Sequence, residues 1–408
     1  MIEQSLGKNY SRFVNVLIFT FPIVINILQV AGDIVLFILA VMGIFIAISK
    51  KLSPFTIKET KVFSYLTIGY FSAVCLSVLF SGQMTELAHY IPRDLHFLFA
   101  PFIALALYKA EINRNYLIVG AKISLLFMGM IVIYLGGGRA TGVMNPGVFG
   151  NIAVSIFFIV LTFSFSQHEA LKHTVFSFIA LLFGFVAIVG SGTRGAWISF
   201  LLLSGVYFYL FYKQTNKLRK KSKIIVVLLI ATIVTFTSFN QSIQDRTQLA
   251  YTEIISWMSG DNYPTSVGLR LEMYRLAIEK IDDVPFFGHG YRTSNIVVFK
   301  NAQTHGGQLS YTYNHLHNAY LTNYFNGGIV LLGALLLLLF APFILFLKAN
   351  SQNRTNPVFI AGVLLTVGYA SFGMVNILLG DTYMNGFYTF FLAIFMLLHA
   401  QSVKKSSM

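Results

Sequence analysis

One charge-free stretch decides the fold: IVLLGALLLLLFAPFILFL, residues 329–347. A helix of about 20 such residues crosses the hydrocarbon core of a membrane, and comparable stretches recur along the chain. Of its 408 residues, 56% are hydrophobic and only 11% are charged, whereas a soluble domain carries about 25% charged residues. A soluble enzyme is therefore excluded. The apolar runs are continuous rather than alternating, which excludes a membrane β-barrel, so the sequence predicts an all-α polytopic membrane protein.

The hydropathy pattern predicts about twelve transmembrane helices. They are expected at 13–30, 33–49, 63–80, 95–109, 116–135, 148–166, 172–189, 194–212, 224–240, 320–347, 357–378 and 383–400. This pattern divides the chain into 1–240 with helices 1–9, a large polar loop at 241–319, and 320–408 with helices 10–12 and a tail.

The long loop is expected to contain short amphipathic helices, because a loop of this length rarely lacks secondary structure. Leu269, Met273 and Leu276 recur with helical spacing, which predicts an amphipathic helix over 267–281. Pro285 and the glycines that follow it then mark a turn.

Positive charge sets the orientation of the predicted helices. If the N-terminus is cytoplasmic, the inner segments hold 19 of the 29 lysines and arginines, and no short outer loop holds more than one. This bias is what the positive-inside rule requires of a chain with both termini in the cytoplasm and the loop 241–319 outside. The net charge of +14 is therefore explained by topology, and no nucleic-acid partner is expected.

Several unusual polar residues fall on the predicted outer side. They are Arg139 in GGGRATG (136–142), Arg194 in GSGTRGAW (190–197), Arg270 in SVGLRLEMY (266–274), His315 and His317 in NHLHNAY (314–320), and Asp381 in GDTY (380–383). Arg194 begins a helix whose N-terminus faces outward, where a cation opposes the helix dipole. Its position is explained if an anion binds there. The alternative is that each arginine snorkels or pairs with a carboxylate.

His317 precedes another helix that runs from outside to inside. A helix N-terminus disfavours the charged imidazole, so a neutral His317 would be available as a general base. The alternatives are a hydrogen-bonded interfacial histidine and a metal site formed with His315. No acidic cluster at metal-ligand spacing accompanies the pair, so neither a metal nor a cofactor is expected. Fixed arginines suit a diphosphate, and a lipid diphosphate carries its own activated bond.

At these residues the chain resembles the bacterial O-antigen ligase family, whose core region is shared with O-antigen polymerases and some protein O-oligosaccharyltransferases. The matching segments are SGTRG (191–195), LRLEMY (269–274), PFFGHG (285–290) and HLHN (315–318). The resemblance implies a GT-C-type architecture with a large periplasmic loop between helices nine and ten. It also implies metal-independent glycosyl transfer in the bacterial inner (cytoplasmic) membrane, among membrane lipids.

The resemblance assigns roles to individual residues. The donor would be an undecaprenyl diphosphate-linked glycan, and the acceptor a sugar hydroxyl of the lipid A-core oligosaccharide. His317 would deprotonate the acceptor, while Arg194 and Arg270 would hold the diphosphate. Arg139 would contact phosphate or sugar, and Asp381 would orient His317 or an arginine. His315 is assigned only its proximity to the site.

Inversion at the anomeric carbon is the expected stereochemistry, since no second carboxylate is placed to act as a nucleophile. Three other functions stay open at this point. A polymerase would use the same donor with a growing glycan as acceptor, and a protein O-oligosaccharyltransferase would modify protein. A flippase or transporter of lipid-linked glycans belongs to a different class, but it would be expected to show internal repeats and charges at mid-membrane.

Overall fold

The computed structural model describes residues 6–82, 91–136, 139, 141–164, 171–214, 241–260, 265–299, 315–352 and 356–406. Within these ranges the secondary structure is helical and no strand occurs. The α-helices are α1 (Lys8–Val24), α2 (Gln29–Ser49), α3 (Lys58–Phe80), α4 (Leu95–Tyr108), α5 (Arg114–Tyr134), α6 (Pro146–Ser164), α7 (Leu171–Gly190), α8 (Arg194–Gln214), α9 (Gln241–Ser259), α10 (Ser266–Glu279), α11 (Ser294–Phe299), α12 (Ala319–Gln352), α13 (Pro357–Phe372) and α14 (Thr382–Ser406).

The prediction of a polytopic helical membrane protein is confirmed. Among the described residues, seven helices are long and apolar enough to cross a membrane, and they lie in α2, α3, α4 with the 3-10 turn before it, α5, α6, α12 and α14. Shorter apolar helices lie in α7, α8 and α13. α1, at the predicted span 13–30, is not among these helices. The predicted span 224–240 lies outside the described residues, so the total of twelve stays a prediction.

The bundle is packed closely where glycine lets two backbones meet. A Cβ added at Gly43 of α2 would lie 1.9 Å from the carbonyl oxygen of Phe102, and one at Gly120 of α5 would lie 2.3 Å from that of Phe19. Small residues at helix contacts are a common device of membrane bundles, where packing replaces the hydrophobic effect between helices. α6 lies inside the bundle, and its residues are buried from Gly147 to Ser164.

Two predicted spans differ from the structure in ways that shape the site. α13 ends at Phe372, whereas the predicted span continued to 378, and residues 373–381 form a turn. α12 is broken at Gly327 and Gly328. The cause of the break is a close approach: Gly328 has φ 61°, and a Cβ there would lie 2.0 Å from the carbonyl oxygen of Phe286. The turn predicted after Pro285 therefore packs directly on the break.

The described segments 241–260 and 265–299 contact the bundle at one end, which we call the loop end. The helix predicted over 267–281 is present as α10, and the Thr265 hydroxyl caps it by accepting a hydrogen bond from the Gly268 amide at 3.1 Å. A small apolar cluster joins α10, α11 and the start of α12. Its buried members are Met273, Leu276, Ala277, Val298, Phe299, Leu316 and Phe325. This cluster fixes α10 beside the first turns of α12.

Candidate functional site

His315 and His317 lie side by side at the N-terminus of α12. Asn318 caps that helix, since its side-chain oxygen accepts hydrogen bonds from the amides of Tyr320 and Leu321, each at 3.0 Å. Leu316, between the two histidines, is fully buried in the apolar cluster. The two imidazoles lie together on the other side of the chain, with ring centroids 4.5 Å apart. The backbone of His317 adopts φ 49°, a conformation that is uncommon outside glycine and often marks a functional site.

α10 places Arg270 and Tyr274 next to the histidine pair. The Tyr274 hydroxyl lies 2.9 Å from the carbonyl oxygen of His317 and 3.2 Å from that of Met374, so it can donate to either. Arg270 is one helical turn earlier, and its positive charge acts on both imidazoles. Three elements, α10, the start of α12 and the turn 373–381, therefore meet at this point.

Both imidazoles are neutral near pH 7. Burial, followed by the charge of Arg270, lowers the pKa of His315 to about 4, although a hydrogen bond with the Asn376 side chain acts in the opposite direction. Burial, His315 and Arg270, in that order, lower the pKa of His317 to about 3. Burial is thus the main cause of the low pKa values, whereas the sequence analysis attributed the neutral imidazole of His317 to the helix N-terminus. In the part of the chain that is described, no group of three metal-binding side chains occurs.

A second group of charges, which we call the arginine cluster, surrounds the start of α8. It consists of Arg139, Arg194, Arg246 and Glu253. The Arg139 amide donates to the Gly190 carbonyl at 3.3 Å, and Arg246 Nη1 donates to the Gly192 carbonyl at 3.0 Å. Arg194 Nη1 lies 2.6 Å from Glu253 Oε2, and the Glu253 side chain is only 7% exposed.

Gly192 permits this convergence. Its φ is 59°, and a Cβ there would lie 2.8 Å from Arg139 Cγ and 3.4 Å from Arg246 Cζ. Arg139 and Arg194 both act on Arg246, since burial and then the charges of Arg139 and Arg194 lower the pKa of Arg246. The site thus concentrates positive charge at a helix N-terminus, an arrangement that favours an anionic ligand.

The turn 373–381 connects the two groups. Val375 packs on Gly195, where a Cβ would lie 2.5 Å from Val375 Cγ2, and Gly195 directly follows Arg194. The next residue, Asn376, bonds with His315 through its side chain. The arginine cluster and the histidine pair therefore flank a single turn, and the structure brings together Arg139, Arg194, Arg270, His315 and His317 at the loop end.

Asp381 occupies a different part of the same end. Its carboxylate accepts a hydrogen bond from the Met384 amide at 3.2 Å and caps α14. Burial raises its pKa, while the backbone hydrogen bonds of Met384 and Tyr383 and the charge of Arg93 lower it in part. Asp381 thus holds the end of the turn 373–381, and any effect on the histidines passes through that turn.

Sequence reasoning missed a buried carboxylate, Asp94, at the end of the 3-10 turn before α4. It is fully buried, and it accepts hydrogen bonds from the Tyr291 hydroxyl at 2.5 Å and from Asn385 Nδ2 at 3.1 Å. Asn385 also accepts from the Gly380 amide at 3.0 Å. We call Asp94, Tyr291 and Asn385 the Asp94 cluster, which ties the loop segment and α14 to the bundle.

Arg246 and Glu253 were also missed. Both lie on α9, a polar helix without a recognisable motif, and Glu253 pairs with a residue 59 positions away. The one available indication was an arginine and a glutamate seven residues apart on the same predicted outer segment. Such a pattern is common on solvated helices, so the sequence alone carried no reason to select them.

Comparison with known proteins identifies the central part of the chain. Residues 179–336 match the family model described as O-antigen ligase. The match covers less than half of the chain. It confirms the resemblance predicted from the four motifs, and it contains Arg194, Arg246, Glu253, Arg270 and the histidine pair. A curated relative from Haemophilus influenzae, described as an uncharacterized protein, is 28% identical over 382 residues, which cover 90% of this chain and 93% of the relative.

The family match and the apolar helices together indicate the class of protein. The apolar helices indicate a multi-pass membrane protein, and residues 179–336 are similar to the O-antigen ligase family of bacteria. Lipid-linked glycans and lipid A-core are the general substrates of such ligases.

Proposed function

We propose that this protein is an O-antigen ligase, which transfers a glycan from undecaprenyl diphosphate to a sugar hydroxyl of the lipid A-core oligosaccharide. The observation that carries the proposal is the convergence of a neutral histidine pair, Arg270 and the arginine cluster around the turn 373–381. The loop end faces the periplasm in this proposal, and both termini are cytoplasmic, because that orientation places most lysines and arginines inside.

The geometry supports a single displacement. His317 accepts the proton of the acceptor hydroxyl, whose oxygen attacks the anomeric carbon of the donor. The bond between that carbon and the diphosphate oxygen breaks, and the diphosphate leaves with the bonding electrons. One displacement inverts the anomeric configuration, and no metal takes part. A neutral imidazole is the form that a base requires.

Donor binding also makes His317 a stronger base. Burial, His315 and the charge of Arg270 disfavour the protonated imidazole of His317. A diphosphate beside Arg270 would offset that charge and favour imidazolium, so the pKa of His317 should rise when the donor is bound. Proton uptake is thereby coupled to the presence of the leaving group.

The arginines have separate tasks in this proposal. Arg194 and Arg270 hold the diphosphate from two sides of the turn and stabilise the charge that develops as it leaves. Arg139 contacts a phosphate or the first sugar, and His315 orients His317 through ring contact. Asp381 contributes indirectly, since it fixes the turn that carries Asn376.

The proposal is tested in a deletion strain that carries either wild-type protein or His317→Ala at matched expression. Lipopolysaccharide and undecaprenyl-linked glycans are analysed separately. We expect His317→Ala to leave the core bare while long glycans accumulate on the lipid carrier. His399→Ala is the matched control, because His399 packs on Phe346 and Phe359 toward the other end of α14; it should support a full ladder.

Other outcomes would assign the protein differently. Core that carries a single repeat unit in the deletion strain indicates a polymerase. Glycans that accumulate on the inner leaflet alone indicate a transporter. A full ladder from His317→Ala would remove the histidine base from the mechanism.

A further inference from the structure

We propose that the Glu253 carboxylate pairs with Arg194 in the place that the diphosphate takes when the donor binds. Arg246 would be a third cation for the diphosphate, beside Arg194 and Arg270. The inference rests on the proposed function, because it takes the diphosphate donor as the ligand of the arginine cluster. It adds an exchange: the donor replaces Glu253 on Arg194, while Arg246 keeps its place on the Gly192 carbonyl.

The contact between Arg194 and Glu253 resembles a bound anion in its chemistry. A carboxylate oxygen lies 2.6 Å from Arg194 Nη1, and the two side chains are 20% and 7% exposed. An incoming phosphate would bring its negative charge beside that carboxylate, and like charges at such separation repel strongly in a partly buried site. This repulsion disfavours the binding of phosphate and Glu253 to Arg194 at the same time, so the donor displaces Glu253.

α9 is attached to the protein in a way that permits the exchange. Its polar face makes the contacts at the arginine cluster, through Arg246 and Glu253. Five of its large apolar side chains are exposed, namely Leu249, Tyr251, Ile254, Ile255 and Met258. Trp257, near the other end of the helix, contacts α10 instead, where it donates a hydrogen bond to Glu272 at 3.2 Å. Apolar packing therefore contributes little to holding the polar face of α9 against α8, and its ion pair is a contact that a ligand can compete with.

The charge balance also fits a diphosphate. Three guanidinium groups and one carboxylate give the cluster two net positive charges, and Arg270, which holds the same diphosphate in the proposed function, brings the total to three. A diphosphate esterified at both ends carries about two negative charges, and it gains part of a third when one ester is cleaved, since the released phosphate has a second pKa of about 6. Without Arg246, the two arginines Arg139 and Arg194 together with Glu253 would leave only one net positive charge in the cluster.

The test measures binding of inorganic pyrophosphate to the full-length protein in nanodiscs by calorimetry. Glu253→Gln removes the competing charge while keeping the size of the side chain, so its Kd should fall about fivefold. Arg246→Gln should raise Kd about fivefold or more. The matched controls are Glu279→Gln, which removes a carboxylate paired with Arg275 away from the cluster, and Arg12→Gln at the opposite end; both should stay near the wild-type Kd.

Transfer kinetics give a readout that a structural role would not produce. Glu253→Gln should lower KM for the donor and also lower kcat, because the product diphosphate is released more slowly. If Glu253→Gln does not fold, Glu253→Ala tests the same exchange. Undecaprenyl diphosphate used as a competitor distinguishes a site for the lipid-linked ligand from one for free pyrophosphate.

The outcomes separate this inference from the proposed function. If Arg194→Gln weakens binding but Glu253→Gln does not strengthen it, the exchange is wrong and the donor site stands. If Arg246→Gln binds as tightly as wild type while Arg194→Gln does not, Arg246 only supports the Gly192 loop. If Arg194→Gln also leaves binding unchanged, the diphosphate site itself is wrong.

Discussion

The loop end contains two polar regions with opposite electrostatic character. In the Asp94 cluster, a fully buried carboxylate accepts hydrogen bonds from Tyr291 and Asn385, and its members come from three distant parts of the chain. In the arginine cluster there are three cations and one carboxylate, which pairs with Arg194, and the Arg194 side chain is 20% exposed. The carboxylate of the first region has protein hydrogen-bond donors, whereas the second region has more positive than negative side chains.

The difference indicates which region holds the fold and which binds a ligand. A buried charge with its hydrogen bonds satisfied positions the elements that supply the partners. Arginines crowded around a helix N-terminus repel one another, and an anion relieves that repulsion. Variants of the Asp94 cluster should therefore change stability first, and variants around the arginine cluster and the histidine pair should change transfer first.

The largest expected effect is on transfer by His317→Ala. Loss of a general base reduces rates by about 10²–10⁴-fold, so the transfer rate in nanodiscs should fall by about 10³-fold. Pyrophosphate binding should stay within about twofold of wild type, since His317 is neutral in the empty site. A variant that transferred at more than a tenth of the wild-type rate would contradict the role of His317.

Arg194→Gln and Arg270→Gln should each reduce transfer by about 10²-fold, the usual cost of one electrostatic donor to a developing anion. Both should also weaken pyrophosphate binding, which distinguishes them from His317→Ala. Arg275→Gln is a suitable comparison, because Arg275 lies on the same helix as Arg270 but pairs with Glu272 and Glu279. An equal loss of transfer in Arg275→Gln would indicate a general defect of α10.

Asp94→Ala should affect stability instead. It removes the acceptor of the Tyr291 hydroxyl and of one N–H of the Asn385 side chain, whose other hydrogen bond goes to the Arg93 carbonyl at 2.8 Å. This loss costs about 2 kcal/mol, and the melting temperature in detergent should drop. Asp94→Asn keeps an oxygen that can accept from Tyr291, so it should recover most of the loss. The pyrophosphate Kd of folded Asp94→Asn should equal that of wild type. A large change in Kd would place Asp94 in the binding region.

The last prediction concerns stability in acid. His315 and His317 have pKa values of about 4 and 3 in the folded state, below the value of about 6.5 expected when unfolded. Between these values the unfolded chain binds more protons, so stability falls as the pH drops from about 6.5 towards 4. The melting temperature should therefore decrease between pH 7 and pH 5.

The double variant His315→Asn/His317→Asn should show a smaller decrease over the same pH range. The comparison with wild type is needed because Asp381, whose pKa is raised by burial, acts in the opposite direction. A decrease of the same size in the double variant would show that other groups cause the acid sensitivity.

Helix positions could be predicted from the sequence because membrane crossing depends on local hydropathy. The helix over 267–281 could also be predicted, since its apolar face recurs with a simple period. The end of α13 at Phe372 could not, because residues 373–378 are mostly apolar and the turn depends on contacts of Gly373, Val375 and Asn376 with other helices. The break in α12 likewise depends on the distant Phe286 carbonyl.

The candidate residues of the site could be predicted only where they lie in a recognisable sequence motif. Arg194, Arg270 and His317 lie in short recognisable segments, and all three fall within the range 179–336 that matches the O-antigen ligase family model. Arg246 and Glu253 contact residues more than fifty positions away in the sequence, and Asp94 contacts a residue nearly two hundred positions away. Tertiary contacts of this length leave no pattern in a single sequence.

The most direct test of the central claim measures binding and transfer together in nanodiscs. Wild type, His317→Ala and Arg194→Gln are compared with an undecaprenyl diphosphate-linked glycan as donor and lipid A-core as acceptor. We predict that His317→Ala binds the donor without transferring it, and that Arg194→Gln loses both. Transfer at near wild-type rates by both variants would contradict the account, because the histidine pair and the arginine cluster would then not form the site.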